Sequence, residues 1–246
     1  MPVSQLMTET DDEQRLQRYL EFDAMHGLYL GWQLEQFAPY LGQRILEIGC
    51  GVGGIIDRLG RRELVVGLDV EAPVLAHARG RFQQRPECVF QQLDFATCPQ
   101  LQLDELKDLR FDTILCINVL EHILDDLEAL RRMRALLEPG GVACLLVPAH
   151  PALYGSYDQL DGHYRRYTRR GLRPLIEQAG FRVERLYHFN LIGAVGWWIR
   201  YRLLQGKEKH GSTEFKWMLR LQPLMQTMER LIPPPIGLSL VAVLRT

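Results

Sequence analysis

The chain has 246 residues, 47% of them hydrophobic and 24% charged, a globular composition and enough length to bury one sizeable core. With 29 Lys and Arg against 30 Asp and Glu, the formal net charge of -1 gives no global attraction to nucleic acid. Its five cysteines (Cys50, Cys88, Cys98, Cys116, Cys144) have no C-x-x-C spacing and no histidine at metal-site distance, which argues against a zinc site or a disulfide framework and fits a reducing cytoplasm.

Residues 1–12 show no basic region followed by an apolar run, so no export signal is expected. Leu16, Leu20, Leu34 and Phe37 recur near helical spacing and predict one or two helices over 11–37. Short apolar runs at 44–48, 64–68, 88–92, 113–118 and 142–147 read as strands, and amphipathic segments at 55–59, 74–82 and 124–137 read as helices between them. That alternation predicts βαβ units: an α/β, doubly wound, mostly parallel sheet with helices on both faces. Pro139, Gly140 and Gly141 form a turn before the 142–147 strand. Thr168 caps a helix running to Gln178 or Ala179, with Gly180 as its stop.

Residues 181–187 and 238–244 read as two last strands, separated by a long insertion. The insertion holds the longest apolar stretch, 191–199, about half of the roughly 20 residues a membrane-spanning helix needs. Trp197 and Trp198, followed by Arg200 and Arg202, leave membrane-surface contact open. Adjacent helical residues point about 100° apart, so the two tryptophans cannot share one shallow surface, and the insertion's own core or a dimer contact is the favoured reading. A polar stretch at 205–213, an amphipathic one at 215–230 and the prolines at 233–235 complete it.

The first chemical signal follows the 44–48 strand: Glu47-Ile48-Gly49-Cys50-Gly51-Val52-Gly53-Gly54. Its glycines let a ligand approach backbone N–H groups, and they also satisfy the dinucleotide pattern G-x-G-x-x-G. Glu47 would welcome a cationic amino group and repel a diphosphate. Asp69, at the end of the next strand, stands where an acid can bond both ribose hydroxyls. Asp94 follows the third strand, where a carboxylate can accept from an adenine amino group and Phe95 can pack on the ring.

Residues 45–53 (ILEIGCGVG), 67–69 (GLD), 93–95 (LDF), 111–122 (FDTILCINVLEH) and 137–141 (LEPGG) resemble the ordered motifs of class I S-adenosylmethionine (SAM) dependent methyltransferases. The resemblance implies a seven-stranded sheet with an antiparallel last strand, and SAM as cofactor. It implies that Gly49, Cys50 and Gly51 line the methionine part, with Glu47 ordering that loop or meeting the amino group. Asp69 and Val70 would hold the ribose, Asp94 and Phe95 the adenine, and Asn118, Val119 and Leu120 would lie near the sulfonium. Residues 147–168 also resemble a bacterial subgroup in which this region lies over the active site. One domain over 1–246 is expected, with an N-terminal helical lid (1–40), a SAM-binding core (41–190), a helical insertion (191–235) and the last strand (236–246).

Methyl transfer from a sulfonium needs a base only if the acceptor must lose a proton. His122 and His150 are candidate bases, the alternatives being a backbone-holding role for His122 and a structural one for His150; His163 and Tyr164 are candidates to orient the acceptor, the alternative being a loop hydrogen-bond network. Arg165 and Arg166 could bind an anionic group on the acceptor, and Tyr29 and Trp32, on one helical face, could contact substrate from the lid or belong to the core. No carboxylate set suggests a divalent metal, so metal-independent catalysis is expected. The acceptor reads as a small or lipid-like molecule, with no nucleic acid, because no extended basic face accompanies the insertion. A nicotinamide-dependent oxidoreductase and a non-catalytic SAM-binding subunit stay open.

Overall fold

The computed structural model describes residues 9–198, 225–229, 231–232 and 234–246. Of the sequence readings above, the 205–213 stretch, most of 215–230 and Pro233 lie outside them.

Seven strands form one sheet: β1 (Arg44–Ile48), β2 (Leu64–Asp69), β3 (Cys88–Gln92), β4 (Phe111–Ile117), β5 (Leu137–Pro148), β6 (Arg182–Phe189) and β7 (Ser239–Arg245). Their order is β3-β2-β1-β4-β5-β7-β6. The first five pair in parallel, and β7 runs antiparallel between β5 and β6. This is the doubly wound, mostly parallel sheet with an antiparallel last strand that the motifs implied.

Side-chain alternation divides the core between the two faces. On β5, Val142, Cys144 and Leu146 face one side, against α1 (Glu9–Glu35) and α2 (Ala72–Arg81). Ala143, Leu145 and Val147 face the other, against α3 (Gln100–Lys107), α4 (Asp126–Leu136) and α6 (Arg169–Gln178). Both faces being covered explains why the strands read as unbroken apolar runs. Each fully buried Leu, Ile or Val stabilises the fold by about 1.5–3 kcal/mol.

The N-terminal region is one 27-residue helix, which ends where Pro39 approaches. Thr168 caps α6 as expected, its hydroxyl accepting from Gly171 N at 3.0 Å, and Asp125 caps α4 through Glu128 N at 2.9 Å. Three elements differ from expectation. Residues 55–59 hold only a 3-10 turn, Ile56–Arg58, because Gly49, Gly51 and Gly53 take positive φ and spend the chain on a loop. The 137–141 turn is absorbed into β5: Phe111 pairs with Leu137, and the register then shifts so that Thr113 pairs with Val142. Helix α3 was not foreseen, since it buries only Leu103 and Leu106. A short helix, α5 (Ser156–Asp161), and α7 (Leu191–Trp198) follow β5 and β6 respectively.

Candidate functional site

Strand order reverses between β1 and β4, so the loops after these strands diverge to opposite faces and leave a crevice at their carboxyl ends. Gly49 N and Cys50 N both donate to Leu68 O, at 2.8 and 2.9 Å, which folds the glycine loop over β2. A Cβ on Gly49, at φ +75°, would collide with Val119 at the end of β4, so the loop can approach β4 only as glycine. Gly51 N donates to Asp69 Oδ2 at 2.8 Å, and Glu71 N to Asp69 Oδ1 at 3.1 Å.

Glu47 is buried under this loop, and its Oε2 has no hydrogen-bond partner among the described residues. Burial, with the nearby Asp69, pushes its carboxyl well above the usual range. An unpaired buried carboxyl costs stability unless something binds it, and a cation would satisfy it. Cys50 is buried beside it, and burial likewise pushes its thiol up.

The first half of α1 reaches this crevice. Arg15 pairs with Glu71 at 2.6 Å, and the Tyr19 ring lies 3.2 Å from where a Cβ on Gly51 would stand. The Tyr19 hydroxyl is pushed up by burial and then by Asp69, Glu71 and Asp161, acids from both sides of the crevice. Of the two readings of Tyr29 and Trp32, lid contact or core, the packing favours core: Trp32 packs on Phe189 at 4.4 Å between ring centroids, and Asn190 Nδ2 donates to the Tyr29 hydroxyl at 3.2 Å. They anchor the helix to the end of β6.

Asp94 is exposed after β3, where its carboxylate accepts from Ala96 N (2.9 Å) and Thr97 Oγ1 (2.7 Å). Phe95 packs its side chain into the core, and Arg132 binds its carbonyl. Val70 and Asn118 are exposed at the strand ends, Asn118 with φ +53°. Leu120 opens the 3-10 turn Leu120–His122 after β4, with its side chain fully buried in the core.

On the other side of β4, the 149–167 segment is tied by ions. Asp158, fully buried, accepts from Arg166 Nε at 2.8 Å and bonds His163 Nδ1 at 2.9 Å. Burial opposes ionisation of Asp158, yet His163 and Arg166 hold its carboxyl below the usual range. Burial also opposes charge on His163, yet Asp158 and Asp161 push it up to about 9. His163 is therefore a cation at neutral pH, held in the loop hydrogen-bond network that was the alternative to orienting an acceptor. Arg165 pairs with Asp126 at 2.7 Å, and Arg166 stacks on Trp197 at 4.6 Å. Both arginines hold the segment together instead of offering a free charge to an acceptor. Tyr164 is exposed, with its N–H donating to Glu121 O.

Glu121 is fully buried, and neither of its carboxylate oxygens has a hydrogen-bond partner among the described residues. Burial pushes it up to about 7 against the pull of His163 and Arg166. Glu121, His122 and His163 offer ligand atoms within 4.8 Å of one another. The donor set does not fit a metal as it stands, because both His163 nitrogens already face aspartates and its ring is protonated. Burial and the cationic His163 lower the His122 pKa.

His150 follows β5 with φ +61° and stacks on His188 of β6, with ring centroids 4.9 Å apart and planes 1° apart. His150 Nε2 and His188 Nδ1 are both buried without a hydrogen-bond partner among the described residues. Burial first, then Arg166 for His150, and His150 and Arg169 for His188, hold both rings below the usual pKa. Both are neutral at pH 7. Tyr19, Glu121, Asp158 and His188 escaped the sequence reading; for Glu121 the available signal was an acid set in the apolar run 119–123.

Residues 46–143 match the family model of a methyltransferase domain. A ubiquinone biosynthesis O-methyltransferase of Acinetobacter baumannii is 30% identical over 129 residues, 50% of this chain and 53% of that protein. An uncharacterized methyltransferase of Mycobacterium tuberculosis is 34% identical over 121 residues, 49% of this chain and 58% of that protein. The chain thus spans about half the length of the curated relatives it matches. The crystal structure of a SAM-dependent methyltransferase from Mesorhizobium loti superposes with a TM-score of 0.56 at 17% identity, over 84% of this chain and 92% of that one. Residues 46–143 thus match a methyltransferase domain, and the seven-stranded sheet has the fold of solved SAM-dependent methyltransferases.

Proposed function

We propose that the protein transfers a methyl group from SAM to a small or lipid-like acceptor, by in-line displacement without a metal. The observation that carries the reading is Glu47, a buried carboxyl with an unpartnered oxygen beneath a glycine loop. That environment suits a cationic amino group and rejects the diphosphate of a nicotinamide cofactor. Gly49 and Gly51 would open the backbone to the methionine part, Asp69 and Val70 would border the ribose, and Asp94 would accept from the adenine amino group; the glycines' positive φ and the strand-end places of the acids support this. When bound, SAM supplies an electrophilic methyl on a sulfonium.

The acceptor would sit between the end of β4 and the 149–167 segment, capped by Tyr19 of α1. His150 is the favoured base: it is neutral at pH 7 and its Nε2 lone pair is unpaired. His122, also neutral, stands second. His163, as a cation, holds Asp158 and the loop.

Calorimetry of S-adenosylhomocysteine against NAD tests the cofactor. Binding should release a proton from Glu47 near neutral pH, and Glu47→Gln should abolish that release and weaken affinity by about ten- to a hundredfold. Tight NAD binding in place of S-adenosylhomocysteine would sink the reading. A screen of hydroxyl, carboxyl and amine compounds with labelled SAM tests turnover. His150→Ala should then lower turnover by about a hundredfold or more with unchanged S-adenosylhomocysteine affinity. No transfer to any class would favour a non-catalytic SAM-binding subunit.

A further inference from the structure

We propose that His188 is a positioning residue: its ring lies against His150 and holds that imidazole as the Nδ1–H tautomer, with the Nε2 lone pair turned to the acceptor. His188 would act only through His150, so this role rests on His150 being the base of the proposed transfer.

The backbone of His150 is pinned before its ring is. It takes φ +61°, a conformation that side-chain-bearing residues seldom adopt. The turn is tied on both sides: His150 N donates to Tyr167 O at 2.9 Å, and His150 O accepts from Leu153 N at 2.8 Å. Ala149 N donates to Leu238 O at 2.8 Å, which joins this turn to the residues just before β7.

Two neighbours then set the ring. Gly237 is buried on the Phe189 backbone, where a Cβ would collide, and its carbonyl lies in bonding reach of the His150 ring and favours a proton there. Nε2 has no partner among the described residues, so that proton sits on Nδ1 and the lone pair on Nε2. His188 supplies the second constraint. Its Nδ1 likewise has no partner among the described residues, so no hydrogen bond joins these two nitrogens. The rings meet face to face instead, 4.9 Å between centroids and with planes 1° apart. A ring covered in this way is kept from turning about its Cβ–Cγ bond and from admitting water to that face, and burial keeps it neutral. Arg166 toward His150 and Arg169 toward His188 add to that by disfavouring charge on either ring. Transfer would leave the acceptor's proton on Nε2, and a ring free to turn would offer Nδ1–H or a bound water in its place.

Histidine-selective 15N NMR of the full chain reads tautomer and titration without any acceptor. In the parent, His150 should be the Nδ1–H tautomer and titrate below about 6.5. His188→Ala should mix the two tautomers and bring the titration up toward about 6.5, because water reaches the uncovered face. His188→Phe keeps a flat ring on that face and should restore both signals. With a substrate from the screen, His188→Ala should lower kcat about tenfold or more at unchanged S-adenosylhomocysteine affinity, and move the acid limb of the kcat profile to higher pH. His188→Phe should recover most of that rate. An Ala variant with the parent's tautomer and titration overturns the proposal, as does a Phe variant no better than Ala. Parental turnover in His150→Ala would overturn the base reading and this role with it, a distinct failure because it leaves the tautomer signals as expected.

Discussion

Glu47 in β1 and Glu121 after β4 are buried carboxyls whose oxygens lack partners among the described residues, at the two strands that flank the crevice, and they answer to different neighbours. Glu47 lies beside Asp69, and burial with that neighbour raises its pKa, a shift that a bound cation would oppose. Glu121 lies near His163 and Arg166 and titrates at about 7, so the folded protein keeps a proton that the unfolded chain releases above about 4.5. Its contribution is therefore present at low pH and lost as pH rises toward 7. His163, raised to about 9, contributes below about 6.5 and loses that contribution as pH rises through 9. Both effects have one sign, and below about pH 6.5 the depressed His122, His150 and His188 oppose them, so the urea midpoint should fall from about pH 6.5 to pH 9. Glu121→Gln mimics the neutral acid, so it should flatten the part of that slope below pH 7 and stabilise the protein by about 1–3 kcal/mol at pH 8. A variant that keeps the parent's slope would place the titration elsewhere.

Helix α1 shows how one element serves packing at one end and the crevice at the other. Its second half is stapled by Trp32 and Tyr29 to Phe189 and Asn190 at the end of β6. Its first half reaches the glycine loop through Arg15 and Tyr19. Trp32→Ala should thus cost about 3–5 kcal/mol in chemical denaturation. Tyr19→Ala should shift stability by less than about 1 kcal/mol and lower S-adenosylhomocysteine affinity severalfold. If Tyr19→Ala bound like the parent, α1 would not cover the cofactor. The aromatic spacing at 29 and 32 was legible as one helical face, but a face that buries itself and a face that meets a ligand have the same period. Likewise the five parallel strands were legible from their apolar runs, whereas α3, with two buried leucines, was too weakly patterned to find.

At the scale of the whole molecule, β7 closes the sheet from the far end of the chain. It pairs from Arg245 to Ser239 with β5 on one side and β6 on the other. Leu240, Val241, Val243 and Leu244 are fully buried, together worth about 6–12 kcal/mol, comparable with the total stability of an ordinary domain. Deleting 238–246 should therefore abolish cooperative thermal unfolding followed by circular dichroism; a truncated chain that melts like the parent would contradict the strand's place. The sequence alone determined the sheet, the glycine loop and the acids Glu47, Asp69 and Asp94, because strand periodicity, glycine's backbone freedom and a carboxylate at a strand end are local properties of the chain. Only the tertiary structure decided which charges are free. Arg165 and Arg166 meet Asp126 and Asp158, His163 meets two aspartates, and His150 after β5 meets His188 of β6 although β7 lies between the two strands. Charge state depends on what surrounds a group within a few ångströms, and that is set by residues distant in sequence.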